Sequence, residues 1–110
     1  MPPPRTIETI GTVSGTMRVP GSKSIANRAL VCAALAGGDS VIRNISDSTD
    51  TTMMLNALDQ MGVLARAAGS EVRVSGTGGA LYAPKFPVPV GNAGTTLRFL
   101  ISVAARAKGV

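Results

Sequence analysis

Pro20-Gly21-Ser22-Lys23-Ser24-Ile25-Ala26-Asn27-Arg28-Ala29-Leu30-Val31 and Val90-Gly91-Asn92-Ala93-Gly94-Thr95-Thr96-Leu97-Arg98-Phe99-Leu100-Ile101 read as two copies of one pattern, 70 positions apart. Gly21 aligns with Gly91, Arg28 with Arg98, Leu30 with Leu100, Val31 with Ile101 and Ala34 with Ala104, without a gap. Each copy sets a Gly-bearing turn before a helix that carries an arginine on its second turn, and a repeated supersecondary unit of this kind governs the fold. A helix start offers unpaired backbone N–H groups and partial positive charge. A small polar turn followed by Lys, Ser, Thr and Arg therefore suits phosphate or carboxylate.

Outward from the first copy, the spacing predicts short strands over Thr6 to Ile10 and Thr12 to Val19, and a break at Pro20-Gly21. A helix capped by Ser22 follows from about Lys23 to Ala36 and ends at Gly37-Gly38. Ser40 to Ile45 reads as a strand. Asp47-Ser48 opens a second helix to about Met61, with Met54, Leu55, Leu58 and Met61 on one face and Gly62 as its stop. Val63 to Ala67 and Glu71 to Ser75 flank Ala68-Gly69-Ser70 as a hairpin. That order makes one complete β-α-β-α-β-β unit from about Thr12 to Ser75, an α/β (α+β) arrangement. A Gly/Pro-rich connection follows from Gly76 to Pro89, and a second unit begins at about 90, with a helix from about Gly94 to Ala107. Since the second unit has only its first helix before Val110, the chain is expected to be the front part of a longer polypeptide.

Composition narrows the chemistry. The 110 residues hold 45% apolar residues, but Tyr82, Phe86 and Phe99 are the only aromatics, so the core has to be built from Ala, Val, Leu, Ile and Met. Eleven basic residues against six acidic ones give a charge of +5 without any basic run. Arg5, Arg43, Arg66, Arg73, Lys85, Arg106 and Lys108 read as solvated surface. The scarcity of aromatics argues against nucleic-acid binding. With no histidine, zinc sites and Ser-His or Cys-His catalysis are excluded within these residues. Cys32, beside Val31 and Leu35, is expected to be a buried, inert thiol. The start lacks a secretion signal and no apolar run is long enough for a bilayer, which gives the expectation of a cytoplasmic protein with no membrane association.

Two segments carry the candidate chemistry. In Lys23-Ser24-Ile25-Ala26-Asn27-Arg28, Ser24 and Arg28 are four apart, as are Lys23 and Asn27, so these residues gather near one helix end. Ser24 offers a hydroxyl, Lys23 a mobile charge and Arg28 a planar fork. A capped surface helix with solvated charges fits the same spacing. In the second segment Gly91 and Gly94 permit close approach to the backbone, Asn92 tolerates left-handed geometry, and Thr95 is placed to cap the helix. A tight capped turn without a ligand fits that segment equally. Asp50 lies where an acidic residue stabilises a helix start, and it is also placed to face the site. Gly21-Ser22-Lys23-Ser24 is not a P-loop, and Gly76 to Leu81 lacks the third glycine of a dinucleotide fingerprint.

Taken together, Pro20-Gly21-Ser22-Lys23-Ser24 with Asn27-Arg28-Ala29-Leu30, Ser46-Asp47-Ser48 with Asp50, Met54-Leu55 and Ala57-Leu58, and Gly91-Asn92-Ala93-Gly94-Thr95 with Arg98 resemble the opening of the EPSP synthase family of enolpyruvyl transferases, from about Gly11 onward. The related family acting on UDP-N-acetylglucosamine lacks the Lys-Ser-x-x-Asn-Arg arrangement and is the weaker relative.

The resemblance implies two domains, each an inside-out αβ barrel of three β-α-β-α-β-β units, with shikimate 3-phosphate and phosphoenolpyruvate between them. Residues 1–20 would belong to the other domain, Pro20-Gly21 would be a hinge crossing, and 21–110 would be part of one substrate-binding domain. It further implies that Lys23 touches both substrates and that Ser24 and Arg28 hold shikimate 3-phosphate. Gly94, with Asn92 and Thr95, would line the phosphoenolpyruvate site, while Asn27, Asp50 and Arg98 support. No metal or cofactor is implied, and the full enzyme is expected to be a monomer. The carboxylates and lysine that move protons, and the later arginines, have no counterpart here, so no catalytic residue is assigned and the remainder of the enzyme is required. Phe99 departs from the proline that many members carry after the arginine, on a helix that shapes the subsite of the inhibitor glyphosate. The other reading, from another class, is a stand-alone anion-binding or assembly module.

Overall fold

A computed structural model describes residues 1–109. Its elements run α1 (Lys23–Leu35), β1 (Asp39–Ile42), α2 (Thr49–Gln60), β2 (Leu64–Ala68), β3 (Glu71–Ser75) and α3 (Gly94–Ala104). The three strands form one antiparallel sheet in the order β1-β3-β2. Because β3 opposes both neighbours, β1 and β2 run parallel to each other on either side of it, and α2 is the crossover between them.

Local chemistry sets these boundaries. Ser22 caps α1, its Oγ accepting from the Ile25 N–H at 3.3 Å. Ser48 caps α2, accepting from the Thr51 N–H at 3.2 Å. Gly62 ends α2 at φ +90°, a left-handed conformation that costs a glycine little. Ala68 pairs with Glu71 across the two-residue turn Gly69-Ser70, with Gly69 at φ +59°. At the far end of α1, the Thr77 N–H and hydroxyl both donate to the Ala34 carbonyl, at 2.9 and 2.7 Å, and the Gly78 N–H donates to that of Ala36 at 2.8 Å. The Gly-rich connection therefore seals a helix C-terminus.

Register decides which face is buried. Val72 pairs with Ile42 and Ala67, and Val74 with Ser40 and Ala65, so these six residues share the face turned to α1 and α2. Val41, Leu64, Arg66 and Arg73 lie on the other face and are exposed. The core joins Leu30, Ala33 and Ala34 of α1 to Met54, Ala57 and Leu58 of α2 and to Val72 and Val74. Leu100 and Val103 of α3 complete it, and no aromatic side chain is fully buried within it. α3 packs on α1 and α2 rather than on the sheet, so the layers are sheet, helix pair and third helix.

Several expectations need correcting. Residues 1–22 form no helix or strand, and every residue through Pro20 is exposed, so the strands expected over Thr6–Ile10 and Thr12–Val19 are absent. An extended segment becomes a strand only when another backbone satisfies its ladder, and these residues have no neighbour to pair with. The first unit accordingly appears as α-β-α-β-β. Cys32 is exposed rather than buried. The buried stripe of α1 is Ala26, Asn27, Leu30, Ala33 and Ala34, and position 32 falls on the opposite side of the helical wheel. α3 stops at Ala104, short of the expected Ala107. The connection before it also carries more structure than its composition implies. Tyr82 forms a parallel bridge with Lys108, the Lys108 N–H donating to the Leu81 carbonyl at 3.0 Å and the Ala83 N–H to that of Lys108 at 2.9 Å.

Candidate functional site

The internal repeat survives in burial. Ala26, Leu30 and Ala33 of α1 and Thr96, Leu100 and Val103 of α3 are buried at matching positions, while Arg28 and Arg98 are both exposed. The two helices thus turn equivalent faces inward, and their first turns meet that of α2. Asn27 and Thr96, both 0% exposed, are joined by a bond from the Asn27 amide nitrogen to the Thr96 hydroxyl at 3.1 Å. The Thr96 hydroxyl in turn donates to the Asp50 carbonyl at 3.2 Å. Lys23 Nζ lies 3.5 Å from the Asp50 carboxylate. One polar chain therefore fastens the starts of α1, α2 and α3 together.

The turn before α3 is seated on α2 as well. Gly91 holds φ +50°, and a Cβ there would lie 2.8 Å from the Met53 methyl group. Gly21 is constrained for a different reason: a Cβ at that position would collide with the Asn44 carbonyl oxygen and meet the Ser46 nitrogen at 3.0 Å. Asn44 itself takes φ 55°, the sole non-glycine residue beyond zero among those described. A glycine is needed at both aligned positions, at Gly21 for close backbone approach and at Gly91 for conformation.

Electrostatically the cluster is positive. The Lys23 and Ser24 N–H groups at the start of α1, and those of Thr95 and Thr96 at the start of α3, have no protein acceptor among the described residues. Asp50 pairs with Lys23 beside these helix starts, and at 61% exposure the Lys23 end of that pair adds little to stability. The Arg28 guanidinium donates to the Ser24 carbonyl at 3.1 Å and lies over the Phe99 ring, 5.4 Å from its centroid. Ser24 and Thr95 are half-buried, and Lys23, Arg28, Asn92, Gly94 and Arg98 are exposed, so this is an open face rather than a closed cleft. Arg98 makes no hydrogen bond or ion pair among the described residues. No helix among them is long and apolar enough to cross a membrane.

Two roles assigned from the sequence move. Thr95 does not cap α3: Ala93 occupies the cap position without a side-chain bond, because the helix begins at Gly94 and Thr95 already lies in its first turn. Asn92 is not the left-handed residue of the turn; Gly91 is. Thr96 escaped sequence reasoning, and Phe99 was singled out only for replacing a proline, not for its contact with Arg28. A hydroxyl on a stripe otherwise made of Leu100 and Val103, opposite an amide on a stripe of Ala26 and Leu30, was the available signal for the first.

A mixed α/β unit built around clustered helix starts is thus defined. The family model for EPSP synthase (3-phosphoshikimate 1-carboxyvinyltransferase) matches residues 7–110, and the chain belongs to that family. The 3-phosphoshikimate 1-carboxyvinyltransferase of Paraburkholderia phymatum is 50% identical over 92 residues, 84% of this chain and 21% of the relative. That of Burkholderia multivorans is 49% identical over 94 residues, 86% of this chain and 22% of the relative. The EPSP synthase structure from Acinetobacter baumannii superposes with a TM-score of 0.75 at 32% identity, covering 81% of this chain and 20% of that one. The chain spans about a fifth of the length of the relatives it matches.

Proposed function

We propose that this chain forms the N-terminal part of an enzyme that transfers the enolpyruvyl group of phosphoenolpyruvate to the 5-hydroxyl of shikimate 3-phosphate, releasing phosphate through a tetrahedral intermediate. The observation that carries the reading is the convergence of three helix starts, with Lys23, Ser24 and Arg28 on one side and the Asn92–Thr95 turn on the other, tied by Asn27, Thr96 and Asp50. Two multiply negative substrates need this: fixed N–H donors and cations already oriented before charge develops in the transition state.

Under this reading Lys23 lies between the two substrates. Ser24 and Arg28 hold shikimate 3-phosphate, and Asn92, Gly94 and Thr95 approach phosphoenolpyruvate, with Arg98 supporting that turn. Residues 21–110 would be part of one inside-out barrel of repeated units and residues 1–20 would pass to a second domain. The groups that move protons lie in the other four-fifths, and the whole enzyme is a cytoplasmic monomer that needs no cofactor.

A chimaera carrying this chain in place of the corresponding segment of the Paraburkholderia phymatum relative tests the proposal. It should release phosphate from the two substrates together, and Lys23→Ala should lower kcat/KM by at least about a hundredfold, the loss typical of removing one fixed electrostatic contact to the transition state. A chimaera in which Lys23→Ala turns over normally overturns the reading. Calorimetry of the isolated chain with shikimate 3-phosphate separates it from the stand-alone module: saturable, salt-sensitive heat at micromolar ligand would support the module, and silence is expected.

A further inference from the structure

We infer that Phe99 is a positioning residue for Arg28, its ring holding the guanidinium where it can take the shikimate 3-phosphate assigned to it above. This rests on the enolpyruvyl-transfer reading and deepens it. The three ion pairs among the described residues join Lys23 to Asp50, and Arg43 and Arg73 to Glu71, so no carboxylate neutralises or orients Arg28. What orients it is the Phe99 ring, over which the guanidinium carbon lies 5.4 Å from the centroid, and the Ser24 carbonyl taking one N–H at 3.1 Å. A cation seated over a ring is held without using its N–H donors, so those not taken by Ser24 stay available to a phosphate or carboxylate.

The ring is itself held. Phe99 is half-buried against the core, three residues beyond Thr96, and Arg28 directly follows Asn27. The buried Asn27–Thr96 bond therefore fixes the spacing between the helix that carries the charge and the helix that carries the ring. Lys23 is already engaged by Asp50, which leaves Arg28 as the cation of the first copy with no acidic partner among the described residues.

The chimaera tests this by kinetics. Phe99→Leu should raise KM for shikimate 3-phosphate roughly threefold, the size that an exposed cation–π contact carries, with kcat and KM for phosphoenolpyruvate unchanged. Phe99→Tyr should restore the parent value, and Phe99→Leu should have no further effect once Arg28→Gln is present. An unchanged KM, the same increment in the Arg28→Gln background, or parallel changes in kcat and both KM values together with a lower Tm would each overturn the inference. A second readout is independent of turnover. The Arg28 Nε–H proton resonance should lie upfield through the ring current, shift on titration with inorganic phosphate, and lose both properties in Phe99→Leu. Should the chimaera show no turnover, the activity reading falls and this resonance still decides the stack; a signal indifferent to Phe99→Leu overturns it.

Discussion

Gly21 is where a single atom decides most. Adding a methyl group there drives it into the Asn44 carbonyl and against the Ser46 nitrogen, and neither backbone group can swing aside as a side-chain tip would. We predict that Gly21→Ala lowers the stability of the chimaera by about 2 kcal/mol or more, in the upper part of the overpacking range, read as a fall in the urea midpoint. The Asn27–Thr96–Asp50 chain gives an asymmetric case. Thr96→Val removes both the acceptor of the Asn27 amide and a donor to the Asp50 carbonyl, and leaves the buried Asn27 amide unpaired at roughly 1–3 kcal/mol. Asn27→Leu leaves Thr96 able to donate, and it also removes an amide oxygen that is buried without a partner among the described residues. Thr96→Val should therefore be the costlier single change, and the double variant should recover part of that cost in a double-mutant cycle. Additive losses would show that the pair is not energetically coupled.

At the scale of elements, the two serine caps differ in a way that can be measured. Ser22 reaches its N–H at 3.3 Å and is exposed, whereas Ser48 accepts at 3.2 Å, shares a 2.9 Å hydroxyl contact with Thr51, and is half-buried. Cap loss costs about 1 kcal/mol on average, so Ser48→Ala should exceed Ser22→Ala in lowering Tm, and the reverse order would refute the ranking. The Ser22 cap, the helix start at Asp47-Ser48, the stop at Gly62 and the hairpin after Ala67, whose loop is one residue shorter than expected because Ala68 pairs with Glu71, were legible in the sequence because each is a local bargain between a residue and its own backbone. The strands expected at Thr6–Ile10 and Thr12–Val19 were not, because their β-branched residues state a propensity that only a distant partner can satisfy. The same limit explains the site. Lys23, Arg28 and the Gly91–Thr95 turn announced themselves by type and spacing, but Thr96 and Phe99 act across 69 and 71 positions of chain, on Asn27 and Arg28. Periodicity marks them only as members of a helix face.

The whole molecule is short of partners for its apolar surface. Leu97 and Ile101 of α3 are 44% and 63% exposed. They line a groove of about 210 Å³ with Leu100, Ala104, Met61 and Val90. Among the described residues, Ile7, Ile10, Val13, Met17 and Val19 stand in water along a segment with no strand partner, and the sheet has three strands behind a core without a fully buried aromatic. Each large apolar side chain left exposed forfeits about 1.5–3 kcal/mol, and several of them together match the roughly 5–15 kcal/mol margin of an ordinary domain. We predict that the 110-residue chain by itself shows no synthase activity and melts over a broad range, with near-UV dichroism weaker than in the chimaera and binding of an apolar dye at the α3 face. Joined to the remaining four-fifths of a relative, the same residues should melt cooperatively and lose the dye signal, because the missing element is then supplied as packing. Purified chain that is monomeric, melts sharply and makes product from phosphoenolpyruvate and shikimate 3-phosphate would show that the exposed α3 face and the unpaired N-terminal segment cost far less than their areas imply, and that the site is complete within these residues.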